Sequence, residues 1–190
     1  MLATTALAGS PLVVIPQESV VATPLDAATT WGGFYVGGLY SSYNSTDTFT
    51  EPMQGDMNDH NIGVFAGYNY QRGAMVFGGE VAYAVGDYYV HQFLSGDVSV
   101  LDLKARVGYA LSNAAMVYGF GGFTIMQIDT NGAPTANGGG LNYGAGVAYQ
   151  FNSGLLLGLE YIARDIGGSG YAGGESLTAN AIEARIGWQF

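Results

Sequence analysis

Cysteine is absent from the 190 residues, which excludes disulfide bonds and thiolate metal sites. Lysine and arginine total five against 15 Asp and Glu, so a net charge of −10 offers no basic face to nucleic acid. Charged residues make up only 11% of the chain, whereas soluble domains carry about 25%. That is too little charge for an ordinary wet surface. Long apolar runs are missing as well. Mean hydropathy is only slightly positive, and no stretch approaches the ~18 apolar residues of a transmembrane helix. What abounds instead is 31 Gly, 14 Tyr and 9 Phe. Low charge without a helical span fits strands that alternate lipid-facing and interior side chains, since a β-strand crosses a bilayer in about 9–11 residues.

The segment 182–190 states this pattern most clearly. Ile182, Ala184, Ile186, Trp188 and Phe190 share one parity, and Glu183, Arg185, Gly187 and Gln189 share the other. Successive side chains of a strand point to opposite faces, so one face is purely apolar and the other charged. A charged interior with an apolar exterior is the inverse of a soluble protein and the signature of a transmembrane β-barrel.

Turn signals recur at Arg72-Gly73, Ser112-Asn113 and Asn152-Ser153, forty positions apart. Two ~10-residue strands, one long connection and one tight turn give such a period in an up-and-down barrel. The spacing predicts eight strands over 32–43, 61–71, 74–86, 98–110, 114–128, 140–151, 154–165 and 176–190. They would form a closed, antiparallel, all-β transmembrane barrel with long connections at 44–60, 87–97, 129–139 and 166–175. In the second strand Ile62, Val64, Ala66, Tyr68 and Tyr70 face out. In the sixth, Leu141, Tyr143, Ala145, Val147, Tyr149 and Phe151 do the same. The first and fifth strands place glycine and aromatics on both parities, so their register is open; Gly63, Gly67, Gly119, Gly121, Gly144 and Gly146 are assigned to the interior. Aromatics beside the short turns would form an interfacial girdle. An even strand count puts both termini beside the short turns, on the periplasmic side.

Four of the five basic residues, Lys104, Arg106, Arg164 and Arg185, fall on inward positions. Glu80, Asp102, Glu160 and Glu183 share that parity. Eight strands leave an interior just wide enough for side chains, so these charges are expected to fill the lumen as an ion-pair network. The alternative is a gate, in which one arginine changes partner to open a narrow, low-conductance pore. Both readings exclude a large porin.

Other chemistry is weaker. Asp47, Glu51, Asp56, Asp59 and His60 supply oxygen ligands dense enough for Ca²⁺, but the run lacks the glycine and terminal glutamate of an EF-hand; it reads as a solvated acidic loop or a weak divalent site shared with lipopolysaccharide phosphates. His91, near Ser95 and Ser99 with Asp87 or Asp97 to orient it, has the residue types of a serine hydrolase. Some small outer-membrane barrels are lipid-A-modifying enzymes, but no local signature supports one here. No catalysis, metal or cofactor is expected. A soluble lipid-binding barrel would need an apolar lumen and polar exterior, the reverse of the parity found.

Trp31-Gly-Gly-Phe-Tyr-Val-Gly-Gly38, Phe77-Gly-Gly-Glu80, Ala105-Arg-Val-Gly-Tyr109, Tyr118-Gly-Phe-Gly-Gly122, Tyr143-Gly-Ala-Gly-Val-Ala-Tyr149 and Ala184-Arg-Ile-Gly-Trp-Gln-Phe190 occur in order. Together they resemble the small outer-membrane β-barrels of Gram-negative bacteria: the OmpA-type transmembrane domain, the opacity-like proteins and the alphaproteobacterial surface antigens. The resemblance covers residues 31–190. It implies a structural, surface-exposed role in outer-membrane lipid and lipopolysaccharide, with room for an unidentified surface partner or larger membrane complex. It also implies insertion by the outer-membrane assembly machinery, which reads a terminal strand such as that ending in Trp188 and Phe190. Nothing follows Phe190, so the peptidoglycan-binding half of OmpA proper is not expected. Residues 1–30 read as a signal-like leader and spacer without the basic start of a secretory signal, or as a retained periplasmic tail.

Overall fold

The computed structural model describes residues 31–47, 57–90, 94–130, 136–167 and 176–190. They form eight strands: β1 (Gly33–Asp47), β2 (Met57–Arg72), β3 (Met75–Val90), β4 (Leu94–Ala110), β5 (Ala115–Thr130), β6 (Ala136–Gln150), β7 (Leu155–Gly167) and β8 (Ser176–Gln189). Each pairs antiparallel with the next, and β8 returns to β1, closing the barrel. Closure leaves no sheet edge, so every backbone group inside lipid has a partner.

Three tight turns gather at one end. Between β2 and β3, Gly73 adopts φ +61°, a left-handed conformation that glycine enters without steric cost, and its carbonyl accepts from Gln71 Nε2 at 2.8 Å. Between β4 and β5, Ser112 Oγ accepts from the backbone N–H groups of Ala114 and Ala115 at 3.2 and 3.0 Å. At the opposite end the strands run past the expected boundaries. Ladder pairing holds Ser45 against Met57, Val90 against Leu94, Gln127 against Asn137 and Gly167 against Ser176. Polar composition made these segments read as loops, yet a β-ladder satisfies its backbone in water as well as in lipid. Asp47, Asp59 and His60 consequently lie in strands.

Alternation sorts the two faces cleanly. Leu141 is 65% exposed beside buried Asn142, and Ile186 is 57% exposed beside buried Arg185. The outward aromatics Phe34 and Tyr68 pack with ring centroids 4.8 Å apart, and Tyr149 and Phe151 at 4.9 Å, near the short turns. From Tyr70 to His60 the strand climbs ten residues, roughly 33 Å of chain, or about 25 Å of membrane at the usual ~40° tilt. Asp87, Asp97, Asp129 and Asp165 are outward and exposed only beyond that band.

The structure corrects one assignment. Gly119 and Gly121 face outward, and Tyr118 and Phe120 point into the lumen. The reason is cross-strand: Tyr118 sits opposite Gly146, and Phe120 opposite Gly144. A Cβ on Gly146 would lie 2.6 Å from the Tyr118 ring, and one on Gly144 would lie 2.5 Å from the Phe120 ring. The inward glycines of β6 are the floor on which the inward rings of β5 lie. Tyr35 over Gly67 and Phe65 over Gly37 repeat the device in β1 and β2, which settles the first strand too.

This register makes a direct prediction. Gly144→Ala forces overpacking and is expected to destabilise the barrel by about 1–3 kcal/mol. Gly119→Ala points outward, with its nearest neighbour at an ordinary contact distance of 3.7 Å, and should stay within about 0.5 kcal/mol of the parent. Urea midpoints in detergent, read from the SDS-resistant band on unboiled gels, compare the two. Equal losses would contradict the register.

Candidate functional site in the barrel lumen

Inward parity on β3, β4, β7 and β8 brings Glu80, Asp102, Lys104, Arg106, Glu160, Arg164, Glu183 and Arg185 into one cluster, each under 9% exposed. The register places Glu80 opposite Lys104. It also sets Glu160 directly opposite Glu183, an arrangement of like charges that opposes pairing. Lys104 offsets it from across the barrel: Nζ donates to Glu160 and comes within 3.6 Å of Glu80 and 3.7 Å of Glu183.

The cluster has two linked parts. Nearer the long connections, Arg164 Nη2 reaches Asp102 Oδ2 at 2.6 Å and Glu183 Oε1 at 3.0 Å, while its Nε donates to Asp102 Oδ1 at 3.2 Å. Thr124 Oγ1 and Asn142 Nδ2 donate to the same Asp102 oxygen. Nearer the short turns, Arg106 Nη1 donates to Glu80 at 2.8 Å, and Arg185 Nη2 donates to Glu80 at 2.6 Å while its Nη1 donates to Glu160. Tyr35 and Tyr118 donate their hydroxyls to Glu80 at 3.0 Å and to Glu160 at 2.9 Å. Aromatic faces cover the cations: Arg185 lies 3.9 Å from the Phe65 ring centroid, and Arg106 4.0 Å from that of Tyr118.

Charges occupy only the middle of the lumen. Towards the short turns it is packed with Trp31, Val76 and Met116, with Ala148 and Leu156 against them. Towards the long connections Val98, Val100, Met126 and Ile166 pack with Ile128. Two mainly apolar layers therefore enclose the charged one, with buried Gln150 and Gln189 in the first and Asn61 in the second. All eight charged residues share the inward parity read from the sequence; Tyr35, Tyr118 and Thr124, which bond to them, sit on the two strands whose register was open. Trp188 and Phe190 lie on the exposed outer face at the short-turn end, where the Phe190 N–H donates to the Phe34 carbonyl at 2.8 Å.

The remaining sequence candidates lie only in part among the described residues. His60 is outward, stacked on Tyr40 at 5.4 Å; Glu51, Asp56 and His91 lie outside the described residues. Among the described residues no three His, Cys, Asp or Glu are placed to hold a metal ion.

Residues 18–190 match the family model of the outer membrane protein beta-barrel domain. The chain belongs to this outer-membrane β-barrel family. It is 32% identical over 151 residues to the 22 kDa outer membrane protein of Rhizobium leguminosarum bv. viciae, a match covering 73% of this chain and 65% of that protein. The chain thus spans just under two thirds of that relative. It is 28% identical over 206 aligned positions to the 31 kDa outer-membrane immunogenic protein of Brucella melitensis biotype 1, covering 88% of this chain and 83% of that one. In fold, this outer-membrane barrel is similar to the Neisserial surface protein A, with a TM-score of 0.63 at 16% identity over 83% of this chain and 97% of that chain. The protein is accordingly placed in the outer membrane of a Gram-negative bacterium, among its lipids.

Proposed function

We propose that this barrel is a closed structural element of the outer membrane, contributing to envelope integrity and surface interaction without catalysis. The observation that supports this best is the layered lumen, in which buried and mutually bonded charges lie between two apolar plugs. An ion crossing it would have to break several charge-assisted bonds and also wet two hydrophobic constrictions.

The orientation follows outer-membrane barrels generally, with short turns and termini periplasmic and long connections outside. Segments 44–60, 87–97, 129–139 and 166–175 contain Asp47, Glu51, Asp56, Asp59, Asp87, Asp97, Asp129 and Glu175, and neither lysine nor arginine. Such a surface suits contact with lipopolysaccharide through divalent cations and disfavours polyanionic partners. Trp188 and Phe190 remain our candidates for recognition by the assembly machinery.

A narrow gated pore is the second reading, favoured by Lys104, which has Glu80 and Glu183 within 3.7 Å as alternative partners. Planar-bilayer recording separates the two. The parent protein and the Glu80→Ala, Arg106→Ala and Arg185→Ala variants are all expected to be silent, because the apolar plugs survive each change. Discrete conductance steps that appear in any of them would transfer the assignment to the pore. Catalysis is tested by incubation with lipopolysaccharide, with intact acyl chains expected by mass spectrometry.

A further inference from the structure

Beneath Trp31, on the short-turn side of the charged layer, lies a cavity of about 30 Å³. That is room for on the order of one or two water-sized groups. Trp31 roofs it, 1% exposed, held by its N–H to Gln71 Oε1 at 2.6 Å and its indole N–H to the Ser112 carbonyl at 3.5 Å. Tyr35, Phe65, Met116, Tyr118, Ala148 and Leu156 contribute walls, and the charged groups lining it are Arg106 and Arg185, with no carboxylate.

Both guanidiniums are more than nine-tenths buried, and each leaves its Nε–H without a hydrogen-bond partner. Their placement explains why. Arg106 stands two residues nearer the short turns than Lys104, which faces Glu80. Arg185 stands two residues nearer the chain end than Glu183, which faces Glu160. Each side chain must reach along the barrel to its carboxylates: Arg106 commits Nη1 to Glu80 and the Tyr35 hydroxyl, Arg185 commits both Nη atoms to Glu80 and Glu160, and the two Nε–H groups are left over. A buried donor without an acceptor costs free energy comparable to a lost hydrogen bond, and here two such donors belong to side chains that line one space.

The local charge points the same way. On this side Lys104, Arg106 and Arg185 meet Glu80 and Glu160, three positive against two negative. On the far side Arg164 meets Asp102 and Glu183, one against two, with Lys104 at 3.7 Å from Glu183 as the link. We propose that the cavity binds a small monovalent anion of chloride or formate size, held by Arg106 and Arg185 beneath Trp31. The rest of the wall is largely apolar, with buried Asn69 as the further polar side chain, and the volume excludes anything larger than a few heavy atoms.

Trp31 is the built-in reporter. In full-length Trp188→Phe protein refolded into detergent, which needs no assembly machinery, it is the only tryptophan. Iodide, titrated at constant ionic strength against sulfate, is expected to quench it saturably, half-maximally on the order of tens of millimolar for so small a ligand. Caesium, a cationic quencher, should have no effect. Ala148→Leu fills the cavity without touching a charge and should abolish the saturable component while the SDS-resistant band persists. Arg185→Lys keeps the charge but loses the Nε–H, and should raise the half-saturating concentration several-fold. Competition by chloride alone would make this a halide site, and competition by chloride and formate a general monoanion site. Absent or non-saturating quenching, quenching unchanged in both variants, or competition by neither anion would overturn the proposal.

Discussion

Replacing Glu160 with leucine is expected to lower the unfolding free energy by about 3–5 kcal/mol, the cost of removing one partner from a buried ion cluster. Glu160 is 1% exposed and accepts hydrogen bonds from Lys104, Arg185 and the Tyr118 hydroxyl. Without it, Lys104 keeps only carboxylates at 3.6 and 3.7 Å, beyond hydrogen-bond reach, and Arg185 keeps only Glu80. The desolvated ammonium then loses its one hydrogen-bonded carboxylate, and the buried cluster is left with one positive charge in excess. The double variant Glu160→Leu, Lys104→Leu removes one charge of each sign and should recover most of the loss, since apolar replacement of a whole buried pair is often neutral or better. Urea midpoints in detergent measure both. A single variant that loses less than about 1 kcal/mol, the scale of an exposed pair, would mean that the lumen is wet and the pairs weak.

The second large effect concerns the opposite face. Leu103 is outward, half exposed, midway along β4 between Asp97 and Tyr109, and paired with Val81 and Phe123 on the neighbouring strands. Leu103→Lys is expected to cost about 2–4 kcal/mol in lipid vesicles, the penalty for lysine at the bilayer midplane, whereas Leu111→Lys at the short-turn rim should cost about 0–1 kcal/mol. The contrast between the two sites carries the test, because both leucines are exposed in the isolated molecule and only a membrane distinguishes them. Equal and small losses would mean that Leu103 faces water.

How much of this was legible depended on how each strand encodes its faces. β2, β6 and β8 keep one parity apolar over 62–70, 141–149 and 182–188, so parity alone gives their orientation, and with it the inward placement of Glu183 and Arg185. β5 reads Met116, Val117, Tyr118, Gly119, Phe120, Gly121, where either parity could be the apolar one. The choice is made by a partner strand: Tyr118 and Phe120 must lie over Gly146 and Gly144, a non-local requirement that no window of β5 contains. The same ignorance hid the hydroxyls of Tyr118 and Thr124 from the charge network. Strand ends at the long connections were misplaced for a different reason. Residues such as Asn44 and Asn58 look like loop, but antiparallel pairing extends beyond the bilayer, where polar side chains carry no penalty. The apolar plugs were missed because inward parity was equated with polarity. Val98, Val100 and Met126 are inward and buried because a plugged lumen can be sealed with apolar contacts where no water must pass.

The central claim is an inverted barrel whose inward and outward faces alternate residue by residue, and β5 tests it most directly. The chain has no cysteine, so single cysteines at 116–126 can each carry one spin label in refolded, vesicle-inserted protein. Collision rates with lipid-soluble oxygen are predicted to peak at the odd positions, from 117 to 125, and to fall at the even ones, where native side chains fill the lumen. Oxygen access peaking at even positions, or showing no period of two, would contradict the inverted barrel.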